Sequence, residues 1–171
     1  MIELEKTYLA KSLPADLQKY PSREIIDIYI PESFDHPKIR IRKNGSKFEI
    51  TKKEPVKNDP SHQLEQTIAI SETEFEALAL SVKGKRVRKI RYNYDYQDQI
   101  AEFDLFQDSL SGLVLVDFEF KNSKDKQRFV MPDFCLVEIT NEQFVAGGMI
   151  CGKSYEEIEI ELKRFKYSKI S

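Results

Sequence analysis

The feature that most constrains this sequence is a two-residue alternation of apolar and polar side chains, which recurs along almost the whole chain. It covers residues 2–10, 23–31, 38–43, 47–53, 64–70, 86–96, 99–106, 113–120 and 136–140. A period of two puts successive side chains on opposite faces of an extended strand, so these runs predict a mostly antiparallel sheet with one face packed and one polar. The clearest hairpin is IRIRKNGSKFEITKK, whose two alternating runs meet at Asn44 and Gly45, residues that tolerate the positive φ of a tight turn. Asn44 to Ser46 also match a glycosylation sequon, but a turn explains them without an export signal.

Helices are fewer. SETEFEALAL and SYEEIEIELKRF each begin with a capping box, Ser71 with Glu74 and Ser154 with Glu157, in which the serine caps the helix and the glutamate reaches back. Short helices are also expected after Ser12, where Pro14 suits a first turn, and after Ser123. Glu54 to Ser61, with two prolines and an Asn-Asp pair, is expected to be a surface loop. The 171 residues fit a single domain spanning 1–171, large enough to bury a core without staples.

A net charge of −2 and the lack of any run near the roughly 18 apolar residues of a membrane span point to a globular chain with no membrane partner. No basic segment precedes an apolar run at the start, so the cytoplasm is the expected location. Cys135 and Cys151 match no metal or redox spacing and are expected to be free thiols. The basic run KGKRVRKIR from Lys83 is isolated, so no nucleic-acid partner is expected. His36 and His62 are expected in polar loops at the surface, and Tyr92, Tyr94 and Tyr96 as packing residues.

Sorting the strands by parity separates an apolar face from one of full charges. The charged face carries Glu3 and Glu5, Arg40 and Arg42, Glu49, Thr51 and Lys53, Glu65 and Thr67, Lys89 and Arg91, Glu102 and Asp104, and Asp117 and Glu119. An open sheet with solvent on its polar side would produce the same alternation. Yet a solvated face mixes Ser, Thr, Asn and Gln, whereas here like charges recur about 7 Å apart along single strands and repel unless something between them compensates. A ligand is one such compensator. Arginine forks grip phosphate oxygens, and carboxylate pairs bind hard divalent cations through oxygen.

With these motifs in order, the chain resembles the CYTH domain, or triphosphate tunnel metalloenzymes, a family that includes class IV adenylate cyclases, thiamine triphosphatases and inorganic triphosphatases. IELEKTYL resembles its Glu-x-Glu-x-Lys opening, IRIRK its Arg-x-Arg strand, FEITKK its Thr-x-Lys strand and RKIRYNY its Lys-x-Arg strand. AEFDLFQDSLSGLVLVDFEF resembles the stretch that ends in its Glu-x-Glu strand, and MPDFCLVEIT and FVAGG its late segments. Two positions depart from the pattern: Thr7 stands where the family usually has Lys, and Asp117 where it usually has Glu.

The resemblance implies an α+β fold: an eight-stranded antiparallel β-barrel, the triphosphate tunnel, with helices packed outside. It implies Arg40, Arg42, Lys53, Lys89 and Arg91 as triphosphate-binding residues and Glu3, Glu5, Asp117 and Glu119 as holders of Mg²⁺ or Mn²⁺. Glu65, Glu102 and Asp104 remain as catalytic candidates for orienting metal, water or cations. The implied activity is metal-dependent hydrolysis of inorganic tripolyphosphate or a small organic triphosphate. The alternatives are a class IV-type adenylate cyclase and a non-catalytic polyphosphate- or nucleotide-binding tunnel protein.

Overall fold

The computed structural model describes residues 2–57, 59–82 and 85–170. Among these described residues run nine strands: β1 (Ile2–Ala10), β2 (Ser22–Ile30), β3 (Ile39–Asn44), β4 (Lys47–Val56), β5 (Asp59–Ile70), β6 (Lys85–Tyr96), β7 (Gln99–Phe106), β8 (Val114–Phe120) and β9 (Cys135–Glu138). They are hydrogen-bonded in the order β5-β4-β3-β2-β6-β7-β8-β1-β9, and an added pairing of β5 with β1 closes the first eight into a barrel. β1 makes the closure because its two halves have different partners. Ile2 to Leu4 pair with β5, whereas Leu4 to Leu9 pair with β8 and Tyr8 to Ala10 also take β9. Every pairing is antiparallel, as the sequence pattern requires.

Among the described residues four helices pack against the strands: α1 (Glu72–Ser81), α2 (Ser123–Arg128), α3 (Gly147–Ile150) and α4 (Tyr155–Lys163). Both expected capping boxes form, at Ser71 with Glu74 and at Ser154 with Glu157. The helix expected after Ser123 is present, capped by Asn122. The one expected after Ser12 is not. Only a single 3₁₀ turn, Leu17–Lys19, forms there, with Leu17 packed beneath the barrel's outer aromatic layer. The expected loop from Glu54 to Ser61 is also corrected: β4 continues to Val56 and β5 starts at Asp59, leaving Lys57 and Asn58, and Asn58 lies outside the described residues. Both prolines fit because a register shift between Pro55 and Val56 relaxes the ladder there. His62 accordingly sits in β5, its Nδ1 2.6 Å from Asp59, and not in a loop. The hairpin between β3 and β4 turns at Gly45 and Ser46, one residue later than expected, with Gly45 at φ 60.

Three apolar clusters hold the barrel in place. Outside β2 to β5, Ile26, Ile28 and Ile41 pack under Phe75 of α1. Outside β1, β7 and β8, Tyr8, Phe103, Val116 and Phe118 pack with Tyr92, Tyr94, Phe129 and Phe134, which places the tyrosines in packing roles. The third cluster lies at one end of the barrel, where the inward positions become apolar: Leu9, Tyr29, Val87, Phe106 and Leu115 meet Val145, Ile150, Ile158 and Leu162 from the C-terminal segment. The cover is incomplete, since Leu64 and Ile68 on the outside of β5 are 41% and 65% exposed. Cys135 and Cys151 are free and buried, as expected.

The glycine pair opening α3 is required by close approach. A Cβ on Gly147 would lie 2.0 Å from the Tyr29 hydroxyl, and one on Gly148 2.3 Å from the Pro37 carbonyl oxygen. Near the C-terminus, the buried Tyr167 hydroxyl donates to the Gly112 carbonyl and accepts from the Val114 N–H, both at 2.8 Å. Tyr167→Phe strands that N–H and is expected to cost about 1–3 kcal/mol in urea unfolding; an unchanged midpoint would show that the hydroxyl holds nothing.

Candidate active site in the barrel interior

Closure turns the charged faces of β1 and of β3 to β8 inward. A cavity of about 490 Å³ is lined by Glu3, Glu5 and Thr7 of β1, Arg40 and Arg42 of β3, Glu49 and Lys53 of β4, Glu65 and Thr67 of β5, Lys89 and Arg91 of β6, Glu102 and Asp104 of β7, and Asp117 and Glu119 of β8. All twelve residues expected at the site therefore share one interior. β2 contributes two more that the sequence reading missed, Arg23 and Asp27. β2 reads SREIIDIYI, with Ile25, Ile26 and Ile28 buried on both of its faces, so parity gave no charged side to notice. The only signal for Asp27 was a lone carboxylate within an isoleucine-rich strand, which is costly to bury without a partner.

The interior charges interlock. Asp27 is 2% exposed and accepts both oxygens' worth of a bidentate grip from Arg42, Nε at 2.6 Å and Nη2 at 2.7 Å. Arg40 approaches the same carboxylate at 3.7 Å and donates to the Tyr29 hydroxyl at 3.2 Å, while its buried Nε makes no hydrogen bond among the described residues. Asp104, 1% exposed, accepts from Lys89 and from Arg91 Nε and Nη2, the last two at 2.6 Å. Arg91 also reaches Glu102 and, at 3.2 Å, Asp117. Arg23 bonds Asn44 and Asn93 and lies 3.4 Å from Glu102. Near the seam, Lys53 Nζ sits 2.8 Å from Glu3 and 2.9 Å from Glu5. Thr7 donates to Asp117 at 2.7 Å, and Glu65 accepts from Thr67 at 2.8 Å.

These contacts set the protonation states. Burial disfavours ionised Asp27, but Arg42 and Arg40 outweigh it and hold the carboxyl well below the usual range. Burial likewise opposes ionised Asp104, and Arg91 and Lys89 bring it down to about 2. Lys89 is pushed down by its own burial and by the neighbouring Arg91 and Arg42, against the pull of Asp104. Burial also opposes charge on Lys53, yet Glu5 and Glu3 raise it. Glu5 and Glu119 are raised, first by burial and then by carboxylates around them: Asp117 and Glu3 for Glu5, Glu102 and Glu3 for Glu119.

The raised carboxyls mark where the interior is short of positive charge. Glu3, Glu5, Asp117 and Glu119 are all hard oxygen donors, the chemistry that suits Mg²⁺ or Mn²⁺. As they stand, no three acidic, histidine or cysteine side chains among the described residues are gathered closely enough to enclose a metal. The basic run from Lys83 is divided by parity: Lys89 and Arg91 point inward, whereas Arg88 is bonded to Asp108 and Glu24. Lys83 and Gly84 lie outside the described residues. Among those residues no helix is long and apolar enough to cross a membrane.

A closed antiparallel barrel with helices outside and an inward belt of cations and carboxylates defines the triphosphate tunnel class of fold. An inorganic triphosphatase of Nitrosomonas europaea is 32% identical over 145 residues, 84% of this chain and 92% of that protein. A crystal structure of an inorganic triphosphatase has a TM-score of 0.65 at 25% identity, covering 88% of this chain and 95% of that one. An adenylate cyclase candidate from Bacillus halodurans shares the fold, with a TM-score of 0.52 at 16% identity over 99% of this chain and 92% of its own. No protein-family model matches the chain. The chain belongs to the CYTH, or triphosphate tunnel metalloenzyme, superfamily.

Asp27 and Asp104 ionise below the value of 3.8 that applies without such partners, so they stabilise the fold above that pH and lose the contribution as pH falls through their lowered folded values, about 2 for Asp104. Glu5 and Glu119 act in the opposite sense: their ionisation costs stability above their raised folded values, and falling pH relieves it. Asp104→Asn, which leaves two buried cations short of a counter-charge, is expected to lower stability at pH 7 by about 3–5 kcal/mol. It should also flatten the loss between pH 4 and pH 2 in acid unfolding followed by circular dichroism. An unaltered acid profile would mean that Asp104 is not the titrating anchor.

Proposed function

We propose that this protein hydrolyses inorganic tripolyphosphate inside the tunnel, with the help of a divalent cation. The observation that carries the reading is the inward belt of Arg23, Arg40, Arg42, Lys53, Lys89 and Arg91, in a chain 32% identical to an inorganic triphosphatase. Tripolyphosphate is a linear polyanion, and phosphoryl transfer from it needs positioning and charge neutralisation more than covalent chemistry. Asp27 orients the Arg42 fork and Asp104 orients Arg91 and Lys89 before any substrate arrives, which is how electrostatic stabilisation avoids reorganisation at the moment of reaction. Asp104, held at about 2, is a poor proton acceptor at neutral pH, so its role is to hold cations. Glu65 and Glu102 are left as the carboxylates that orient the attacking water.

Glu3, Glu5 and Glu119 would hold the divalent cation, with Lys53 released from Glu3 and Glu5 toward the phosphates. When bound, such an ion neutralises phosphoryl charge and makes a coordinated water more acidic. The apolar residues Val87, Phe106 and Leu115 line one side of the cavity and keep bulk water from that part of it.

The reading is tested by phosphate release from tripolyphosphate with Mg²⁺ or Mn²⁺ and with chelator, and by thermal unfolding of the same samples. Release that needs the metal is expected, with a midpoint raised by several degrees at ligand near 100 times its dissociation constant. Cyclic AMP and pyrophosphate from ATP would point to a cyclase, and stabilisation without release to a binding protein. Arg40 is the inward guanidinium least tied to the wall, so Arg40→Ala is expected to lower kcat/KM by about 10²–10³-fold, the scale of losing one preorganised donor. Wild-type kinetics for that variant would sink the assignment.

A further inference from the structure

The tunnel reading leaves one inward residue of β1 without a task. Thr7 lies opposite Asp117 in the register of β1 with β8 and donates its hydroxyl to Asp117 Oδ1 at 2.7 Å. The other oxygen, Oδ2, accepts from Arg91 Nη2 at 3.2 Å. Both oxygens of this carboxylate are thus engaged by the barrel wall. Thr7 is itself anchored, since its N–H donates to Thr140 Oγ1 at 3.1 Å and its carbonyl accepts from the Ile139 N–H at 2.8 Å. A β-branched side chain has few χ1 choices, so a fixed backbone fixes the hydroxyl.

We propose that Thr7 is a positioning residue of the triphosphate site: its hydroxyl orients Asp117, and Asp117 steadies the Arg91 guanidinium. Asp117 is then a holder of arginine in this chain, and the divalent cation is left to Glu3, Glu5 and Glu119. The inference rests on the tripolyphosphate reading above.

Charge and reach support it. Asp117 stands opposite Glu102 in the register of β7 with β8 and adds to the crowding of charge at Glu5. Without the Thr7 hydroxyl, Oδ1 faces groups of its own sign, and the carboxylate turns toward Arg91. Arg91 shares Nη2 between Asp117 and Asp104, so a change at Asp117 tilts a fork that Asp104 otherwise holds in plane. Aspartate suits this contact because one more methylene would carry the carboxylate past the hydroxyl. An ammonium at position 7 would compete with Arg91 for the same carboxylate. The two departures from the family pattern therefore touch, and each fits the other.

The test uses steady-state kinetics on tripolyphosphate with Mn²⁺, calorimetric titration of the protein with Mn²⁺ alone, and unfolding of each variant without ligand as a control for folding. Thr7→Val, which keeps the shape and removes the hydroxyl, is expected to raise KM about tenfold with kcat nearly unchanged, the scale of one hydrogen bond to a charged group. Thr7→Ser should restore KM. Mn²⁺ affinity should stay near wild type in Thr7→Val and Asp117→Asn and fall clearly in Glu5→Gln. Thr7→Lys and Asp117→Glu should each raise KM, while the double variant recovers, a non-additivity that marks direct coupling. Wild-type KM in Thr7→Val, additive effects in the double variant, or Mn²⁺ binding weakened by Asp117→Asn as much as by Glu5→Gln would each overturn the proposal. A wild-type chain that neither binds nor cleaves tripolyphosphate would instead remove the functional reading, and it would do so before any variant is made.

Discussion

Closing a sheet with its charged face inward obliges the charges to serve as each other's solvent. Most of this structure follows from that constraint. Where neighbouring strands replace the water that would have screened an open face, a buried carboxylate must find a cation or go uncharged. Asp27 and Asp104 sit almost fully buried because arginine forks surround them. The closure itself bears the same mark: Lys53 of β4 reaches past β5 to Glu3 and Glu5 of β1, tying the barrel across its seam with charge as well as backbone hydrogen bonds.

The arrangement is unequal along the barrel, and the inequality gives it a direction. Around Asp104 and Asp27 the cations are braced from behind by the two carboxylates, and the buried Nε of Arg40 has no hydrogen-bond partner among the described residues. Toward Glu5 and Glu119 the carboxylates crowd one another, and burial lifts their pKa values. Under the proposed function, a ligand that brings both signs of charge, such as a polyphosphate with its counter-ion, would satisfy both regions at once. Neither component alone would do so.

Much of this was legible in the sequence because parity is rigid. Once a residue is on a strand, its face follows from its number, so Arg40 with Arg42 or Glu102 with Asp104 could be assigned to one side without coordinates. Parity fails where both faces are apolar, which hid Asp27 and Arg23 in isoleucine-rich β2. Proline statistics misled at 54–61, where a register shift lets the hairpin carry Pro55 and Pro60 within its strands. The short helix expected after Ser12 lost to packing, since Leu17 is drawn beneath the outer aromatic layer and only one turn survives. Nor could the contact of Thr7 with Asp117 be foreseen, because parity says which way a side chain points but not which strand lies beside it.

The glycine pair at the start of α3 sets a mechanical tolerance that the charges do not. Tyr29 and the Pro37 carbonyl press so closely on Gly147 and Gly148 that the segment bearing them lies flush against the 31–38 loop, with no space for even a methyl group. Tyr29 is also the hydroxyl that receives Arg40. A side chain added at Gly147 would therefore act as a wedge, displacing the tyrosine and with it the guanidinium, and would change the bore of the tunnel without altering a single charge in it.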